Sequence, residues 1–190
     1  MPLFWRVLKV DELSVLLITR DLIDAQPYNE TREDVTWETC TLRRWMNEVF
    51  IREAFDEEER KGILLTELCT SENKSWYTSG GNATQDRIFA LSIDEAERYF
   101  LDNDDRLAVV TPYAESRGAV LWPVGSVDES GRSKDGRKVG LWWLRSPGCD
   151  NNHAVDVHRI GAIDRHGPDV DCADVSVRPA LWLSLYPEFC

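Results

Sequence analysis

Apolar and polar positions divide the start of the chain into two short runs around a polar turn. Residues 4–10 (FWRVLKV) and 13–19 (LSVLLIT) are rich in β-branched and aromatic residues, and Asp11 and Glu12 separate them. Such runs on either side of a polar pair are typical of two strands joined by a tight turn. The pattern therefore predicts an antiparallel hairpin.

Apolar residues next recur at helical spacing over residues 37–50. They occupy positions i, i+3, i+4, i+7 and i+8, which are Leu42, Trp45, Met46, Val49 and Phe50. This spacing places them on one face of an amphipathic helix. Thr36 and Thr39 are the candidate N-cap residues, because a threonine oxygen accepts hydrogen bonds from the free amides of a first turn.

Two shorter helices are predicted from the residues at their ends. Residues 56–62 (DEEERKG) begin acidic and finish with Arg, Lys and Gly, an order that suits the helix dipole and a glycine stop. Residues 92–95 (SIDE) form a capping box. They predict a third helix that ends near Phe100.

Polar and apolar stretches follow one another through the middle of the chain. Polar residues 70–86, which include Gly80 and Gly81, predict an exposed loop, and residues 88–91 (IFAL) predict a buried strand. Residues 124–138 (VGSVDESGRSKDGRK) have few apolar positions and several Gly and Ser. This composition predicts a mobile loop.

Two aromatic strands are predicted in the last fifty residues. Residues 141–148 (LWWLRSPG) predict a strand that ends in a turn, and residues 177–183 (VRPALWL) predict a second strand. Pro179 lacks an amide hydrogen and belongs at an edge or a bulge. Arg145 and Arg178 interrupt these strands, and such arginines usually satisfy carbonyls or a carboxylate. We expect a structural role for both.

Residues 149–176, here called the polar segment, lie between these strands. They contain all three histidines of the chain and six aspartates against two arginines. Short hydrogen-bonding side chains on tight turns make a solvated recognition surface, and recognition residues concentrate on such loops. We therefore predict a face that binds a protein or a glycan. Its candidate contacts are Asp150, Asn151, Asn152, His153, Asp156, His158, Arg159, Asp164, Arg165 and His166.

Two kinds of metal site are alternatives within the polar segment. A transition-metal site would use the histidines, although their spacing matches no closed zinc pattern. A calcium site would use oxygen donors without the spacing of an EF-hand. The oxygen donors concerned are Asp150, Asn151, Asn152 and Asp156. We expect no cofactor, and calcium stays open as the alternative.

Motifs of common enzyme classes are missing from the sequence. There is no G-x-S-x-G, no Walker loop and no G-x-G-x-x-G. The five cysteines include no C-x-x-C and form neither a disulfide framework nor a zinc ribbon, so free thiols are expected. A thiol-dependent enzyme would use Cys149 or Cys172. An enzyme is therefore the less favoured interpretation.

Composition and charge narrow the class of partner. The 190 residues suit a single domain over 1–190. With 22 Lys and Arg against 34 Asp and Glu, the net charge is −12, which argues against a nucleic-acid partner and against adsorption to anionic membranes. The eight tryptophans belong either to an aromatic core or to a ligand surface, and we expect core packing for most of them.

The N-terminal residues carry no targeting signal. No basic start is followed by an apolar stretch, and no stretch is long enough for a membrane helix. We therefore expect synthesis in the cytoplasm and no membrane insertion. Association with a virion or a cell surface, as part of a larger assembly, stays open, and so does the oligomeric state.

Five motifs together resemble an uncharacterised bacterial domain family that is common in gut Firmicutes and their mobile elements. The motifs are residues 5–8 (WRVL), 36–47 (TWETCTLRRWMN), 88–100 (IFALSIDEAERYF), 142–148 (WWLRSPG) and 177–182 (VRPALW). The family implies no established activity. More distantly, the layout is similar to the C-type-lectin-like fold that formylglycine-generating enzymes share with the variable proteins of diversity-generating retroelements.

This resemblance implies an α+β domain with a C-type-lectin-like core. Its expected parts are an N-terminal hairpin, two or three helices and irregular short C-terminal strands. In the variable proteins, exposed positions near the C-terminus differ between copies, and the polar segment occupies the corresponding place. The leading hypothesis is a non-enzymatic binding module, with a retroelement variable protein as its special case. The alternatives are a metal- or thiol-dependent enzyme related to formylglycine-generating enzymes, and a structural component of a phage or surface assembly.

Overall fold

Short strands and short helices alternate along the described part of the chain. The computed structural model describes residues 2–123 and 138–186. The strands are β1 (Trp5–Val10), β2 (Ser14–Thr19), β3 (Asp24–Ala25), β4 (Thr66–Leu68), β5 (Thr84–Asp86), β6 (Trp122–Pro123), β7 (Lys138–Val139), β8 (Trp142–Pro147), β9 (Ala154–Val157), β10 (Ile163–Asp164), β11 (Ser176–Val177) and β12 (Ala180–Ser184). The helices are α1 (Thr41–Trp45), a π-helical turn (Met46–Phe50), α2 (Ile51–Ala54), α3 (Glu57–Gly62), α4 (Ile93–Tyr99), α5 (Asn103–Arg106) and α6 (Pro112–Ser116). The predicted α+β class is confirmed.

Two sheets organise the molecule. The predicted N-terminal hairpin is present as the antiparallel pair β1 and β2, and β12 pairs with the other edge of β2. The second sheet has the order β10-β9-β8-β11-β3, in which only β8 and β11 are parallel. Every residue of β8 and β9 is buried, so this sheet lies inside the molecule. Two small pairs, β4 with β5 and β6 with β7, complete the strands.

The second aromatic strand, predicted over residues 177–183, is divided between the two sheets. Val177 ends β11 in the five-stranded sheet, and Ala180 begins β12 in the three-stranded sheet. The break falls at Arg178 and Pro179, where the proline has no amide hydrogen for a ladder. Its carbonyl still accepts from Thr19 N at 2.9 Å. The prediction of one continuous strand was therefore wrong, and the break carries the chain from one sheet to the other.

The long helix predicted over residues 37–50 begins later and ends later. Cys40 is its N-cap, with Sγ accepting from the amide of Arg43 at 3.5 Å. Thr36 and Thr39 belong to the preceding turn, in which the Thr36 carbonyl accepts from the amide of Thr39 at 3.1 Å. The helical backbone continues to Ala54 because Ile51 extends the buried face. The threonine caps were therefore wrong.

The two shorter predicted helices are confirmed by their caps. Asp56 and Glu59 form a capping box at the start of α3. Ser92 and Glu95 form one at the start of α4. The helices α5 and α6, of four and five residues, were not predicted, because so few residues show no periodicity. None of the helices in residues 2–123 and 138–186 has the length and apolar character needed to cross a bilayer.

Residues 70–91 differ from their prediction in two ways. The polar stretch 70–86 contains buried side chains, including Asn73 and Asp86, so it is not a uniformly exposed loop. Residues 88–91 are buried as predicted but form no strand, and Phe89 makes only an isolated bridge to Ala180. Of the loop predicted over 124–138, residues 124–137 lie outside the described residues, and Lys138 begins β7.

Tryptophans fill much of the core, as expected. Trp37, Trp142 and Trp143 are at most 1% exposed. Their indole nitrogens are all satisfied, for example Trp143 Nε1 by the carbonyl of Gln26 at 2.9 Å. Buried indoles need such partners, because an unpaired N–H in an apolar interior costs free energy. Trp76 is the exception, with 49% exposed.

The two strand arginines have the structural role that was expected. The guanidinium of Arg145 is buried, contacts the carboxylate of Glu95 and donates to the carbonyl of Ala90 at 2.9 Å. Arg178 is buried too, and its Nε donates to the carbonyl of Thr19 at 3.0 Å. Each therefore ties neighbouring segments to the sheet that carries it.

Candidate functional site

The turn between β8 and β9 lies at the start of the polar segment. Gly148 N donates to the carbonyl of His153 at 2.8 Å and closes the turn. A Cβ atom at Gly148 would lie 2.4 Å from the carbonyl oxygen of His166 and 2.6 Å from the Cβ of His153. Only glycine therefore allows the backbones that carry these two histidines to come so close.

A later part of the polar segment runs antiparallel beside this turn. Cys149 N donates to the carbonyl of His166 at 2.8 Å, and Val170 N donates to the carbonyl of Asn152 at 2.9 Å. Next to the second of these bonds, His153 and Asp169 form an isolated antiparallel bridge, and Ala154 N donates to the carbonyl of Pro168 at 3.2 Å. These backbone contacts bring side chains that are far apart in the sequence to one place.

Cys149, His153 and His166, here called the Cys–His cluster, converge at this place. One ligand atom from each residue lies within 4.8 Å of the other two. The imidazole rings of the two histidines meet edge to face, with 5.3 Å between their centroids. Cys149 and His153 are half-buried and His166 is exposed, so the cluster opens to the surface.

Carboxylates surround His153. Its Nδ1 lies 2.6 Å from Asp150 Oδ1, and its Nε2 lies 3.0 Å from Asp169 Oδ1. Asp169 is in turn paired with Arg32 at 2.7 Å. Both ring nitrogens of His153 therefore have an oxygen partner, and the ring has one defined orientation.

Residues 73–78, here called the aromatic turn, lie against the cluster. The fully buried amide of Asn73 donates to the carbonyls of Pro147, Gly148 and Arg165 at 2.9, 3.1 and 2.7 Å. Thr78 Oγ1 donates to the carbonyl of Cys149 at 2.9 Å. These four bonds hold the turn onto the two stretches that carry the cluster.

The aromatic turn presents two large side chains to solvent. Trp76 is 49% exposed and meets the ring of His166 edge to face at 5.5 Å. Tyr77 is 81% exposed and has φ of 59°, a left-handed conformation that is uncommon for a bulky residue. The amide of Tyr77 is held by the carbonyl of Asn73 at 2.6 Å. The surrounding hydrogen bonds therefore maintain a strained turn that displays both rings.

The local environment shifts two pKa values in opposite directions. The hydrogen bond with His153 lowers the pKa of Asp150, which is an ionised acceptor at neutral pH. Partial burial, and then the negative charge of Asp150, raise the pKa of the Cys149 thiol. The thiol is consequently protonated at neutral pH when it has no ligand.

The structure gathers some of the predicted contacts and uses others as supports. Asp150, His153 and His166 come together in and around the cluster. The carbonyl of Asn151 accepts from Val35 N at 2.8 Å, which attaches the turn to residues before α1. The side chain of Arg165 pairs with a carboxylate of α4, and Asp164 Oδ1 accepts from the amide of His166 at 3.0 Å. Asn152 contributes backbone bonds beside the cluster.

Three predicted contacts lie away from this place. His158 and Arg159 follow the far end of β9, where the guanidinium of Arg159 lies 5.3 Å from the centre of the Trp122 ring. Asp156 is only 2% exposed, which corrects its assignment to a surface face. Both faces of β9 are buried, so alternating Val and Asp residues do not separate a core side from a solvent side.

Burial also changes the chemistry of Asp156. Desolvation, and then the charge of Asp164 on the adjoining strand β10, raise its pKa to about 7. The oxygen donors proposed for calcium are therefore separated: Asp156 is inside the sheet, while Asp150 is bonded to His153 at the surface. These residues do not form one calcium site.

The aromatic turn and Asp169 were missed from the sequence. Two adjacent aromatics, Trp76 and Tyr77, stand in an otherwise polar stretch with no neighbouring apolar positions. That isolation was the available signal, because such a pair has no helix or strand face along which to be buried. Asp169 carried no signal of its own, because its role depends on pairing with His153 from another strand.

A family model described as "Domain of unknown function (DUF6273)" matches residues 13–185. Searches of curated proteins and of solved structures gave no match. The matched residues include the aromatic turn, the Cys–His cluster and the two aromatic stretches, 141–148 and 177–183, on either side of the polar segment. The function therefore has to be inferred from the surface of the molecule itself.

Proposed function

The chain belongs to the DUF6273 family, whose description assigns no activity, and from its surface we propose that it is a non-enzymatic binding module for a protein or glycan ligand. The binding face consists of the aromatic turn together with Asp150, His153 and His166. It combines large rings with short polar groups. Such a combination provides apolar contact area and hydrogen bonds on the same surface.

The exposure of Trp76 and Tyr77 is the observation that carries this proposal. Large apolar side chains at the surface cost solvation free energy, and clusters of them mark interaction sites. Here the turn also keeps Tyr77 at φ of 59°, a backbone conformation that costs about 1–2 kcal/mol for a residue with a Cβ. Strain maintained by surrounding bonds is typical of ligand-binding positions.

We extend the proposal to a C-type-lectin-like fold. Three features of the structure support it: an N-terminal hairpin, helices in the first two thirds of the chain, and short irregular strands after them. Asp150 and His153 lie on the turn that joins the buried strands β8 and β9, and His166 follows β10. The aromatic turn lies on the connection between β4 and β5. A rigid scaffold that carries exposed loops is the arrangement that suits recognition.

The protonation of Cys149 weighs against a thiol-dependent enzyme. A catalytic cysteine needs a lowered pKa so that it reacts as a thiolate. Burial and Asp150 raise the pKa of Cys149, and burial and Asp174 raise that of Cys172. Both thiols are free rather than joined as a disulfide. A binding role fits these environments better than nucleophilic chemistry.

A glycan array and a panel of purified cell-surface and phage proteins test the proposal. We expect a ligand whose affinity falls about 30-fold or more on Trp76→Ala, because an aromatic hot spot contributes about 2 kcal/mol or more. The matched control is Tyr113→Ala, since Tyr113 is 57% exposed and lies on α6. The proposal fails if the two variants weaken ligand binding equally, or if neither variant weakens it.

Diversification of the polar segment is a separate part of the proposal. A neighbouring reverse-transcriptase gene, with a near-repeat of the coding sequence for residues 149–176, would support a retroelement variable protein. A defined oligomer in light scattering, with no ligand found on the glycan array or in the protein panel, would instead favour a structural component of a phage or surface assembly.

A further inference from the structure

We propose that Cys149, His153 and His166 form a binding site for a transition-metal ion, with zinc as the expected metal. The inference goes beyond the binding function, because it concerns an ion held by the protein and not the protein or glycan ligand. It rests on the geometry of the cluster and on the partners of each imidazole.

The donor atoms are of the right type and nearly at the right distances. Thiolate sulfur and imidazole nitrogen are the donors that zinc takes most often. Their ligand atoms lie within 4.8 Å of one another. Bond lengths of about 2.0–2.3 Å in a tetrahedron place donors about 3.3–3.8 Å apart. Side-chain rotations that move the donor atoms by about 1 Å are therefore enough to bring them to the distances of a zinc site.

Each histidine has the outer hydrogen bond that metal-binding imidazoles use. In such sites one ring nitrogen binds the metal while the other donates to a carboxylate or a carbonyl. Nδ1 of His153 lies 2.6 Å from Asp150 Oδ1, and Nδ1 of His166 lies 3.1 Å from the carbonyl of Gly167. On each ring Nε2 is therefore the nitrogen left for the metal. On His153 it faces Asp169 Oδ1 at 3.0 Å, a contact that the ion would replace.

An oxygen donor is also present beside the cluster. Asp169 Oδ1 lies 3.0 Å from Nε2 of His153. This hydrogen-bonded separation is a few tenths of an ångström shorter than the about 3.3–3.8 Å between two ligands of one zinc ion, so the two groups would separate slightly as the ion enters. Asp169 or a solvent molecule would therefore occupy the fourth position. On binding, Sγ of Cys149 coordinates as a thiolate and releases its proton to solvent.

The backbone holds the ligands in place before any ion arrives. Cys149 and His166 are joined by a backbone hydrogen bond of 2.8 Å, and the close approach at Gly148 keeps His153 beside them. Thr78 and Asn73 brace the same backbone from the aromatic turn. A site of this kind needs little rearrangement, which favours affinity.

Metal titration of the untagged chain tests the inference. The protein is stripped with a chelator and titrated with Zn²⁺ against a chromophoric competitor, and then with Co²⁺. We expect one Zn²⁺ per chain. Co²⁺ should give a thiolate-to-metal charge-transfer band together with the intense visible bands of tetrahedral coordination.

Variants assign the ligands. Cys149→Ser should abolish the charge-transfer band. His166→Ala removes a ligand and should weaken Zn²⁺ binding by more than Asp150→Asn does. Asp150→Asn leaves all three ligands in place but changes the oxygen that holds Nδ1 of His153, and it should weaken Zn²⁺ binding about 10–100-fold. Cys172→Ser and His158→Ala are the matched controls, since both residues lie in the polar segment outside the cluster, and they should leave binding unchanged.

Three results would overturn the inference. The first is that the chain binds neither Zn²⁺ nor Co²⁺. The second is Zn²⁺ binding that His158→Ala or Cys172→Ser weakens as much as the cluster variants do. The third is uptake of Ca²⁺ in preference to Zn²⁺ and Co²⁺. His166 is exposed, so His166→Ala should keep the circular dichroism spectrum of the parent and separates loss of ligation from loss of folding. The titration measures the bound ion alone. A chain that binds no metal would therefore leave the proposed binding function, which Trp76→Ala tests, unaffected.

Discussion

Asn73→Ala is the substitution that most directly tests how the candidate site is held together. Asn73 is fully buried, and its amide group donates to three backbone carbonyls, those of Pro147, Gly148 and Arg165. These carbonyls belong to two stretches that are distant in the sequence. The two Nδ2 hydrogens are shared among these carbonyls, and Oδ1 accepts from the amide of Ser75 at 3.2 Å. Alanine removes the contacts that attach the turn and the contact within it.

The magnitude follows from the number of bonds lost. A hydrogen bond contributes about 0.5–1.5 kcal/mol net, so the two Nδ2 hydrogens and the Oδ1 acceptor together contribute about 2–4 kcal/mol to the free energy of unfolding. For a domain of this size, 1 kcal/mol shifts Tm by about 2–4 °C. We therefore expect Tm to fall by about 5–15 °C. Weaker binding of Zn²⁺ and of any ligand of Trp76 should accompany it, because the turn loses its attachment to the cluster.

Urea denaturation followed by circular dichroism measures this effect. The midpoint should fall at an unchanged m-value, which marks a change in stability and not in the exposed area. The control is Asn82→Ala, because the amide of Asn82 donates at 2.9 Å to Glu38 between two exposed side chains, where a change should stay within about 0.5 kcal/mol. If Asn73→Ala costs no more than Asn82→Ala, the buried amide does not hold the turn and the reasoning is refuted.

Three further predictions concern the scaffold. The raised pKa of Asp156, about 7 against about 4 unfolded, means that the native state keeps a proton the unfolded state has lost. Stability should therefore fall by up to about 1.4 kcal/mol per pH unit from pH ~4 to ~7, and urea titrations of Asp156→Asn should lose this slope. In thermal melts Gly161→Ala should be far more damaging than Gly118→Ala: both have positive φ, but a Cβ at Gly161 meets a backbone oxygen at 1.7 Å and one at Gly118 meets nothing within 4 Å. Arg145→Met, which leaves Glu95 without its buried partner, should cost about 3–5 kcal/mol in the same assay, and a cost below 1 kcal/mol would contradict the ion-pair role.

Features set by neighbouring residues were predictable from the sequence. The hairpin of β1 and β2 and the capping boxes at Asp56 and Ser92 depend on residues a few positions apart, and each is present in the structure. The burial of Trp142 and Trp143 was also predictable from neighbouring residues, because a strand with so many consecutive apolar side chains is stable only inside the core. Local pattern is sufficient wherever the interactions that decide a feature are local.

The candidate site was only partly predictable. The polar segment was singled out by its composition, and three of its ten proposed contacts, Asp150, His153 and His166, do meet at one place. The histidine that does not join them, His158, is of the same type and lies in the same segment. Nothing in the order of residues separates His158 from the other two. It lies apart from them because it follows the end of β9, whereas His153 precedes the start of that strand.

The α+β class, the ends of the shorter helices, the aromatic core and the segment that carries the polar chemistry follow from local sequence pattern. Only in the folded chain are Cys149 and His166 neighbours, Asp156 buried and Trp76 in contact with His166. These two groups of features differ in the length scale of the interactions that determine them. Caps and turns form between residues a few positions apart, whereas the site depends on the Asn73 amide reaching carbonyls 74 to 92 positions away.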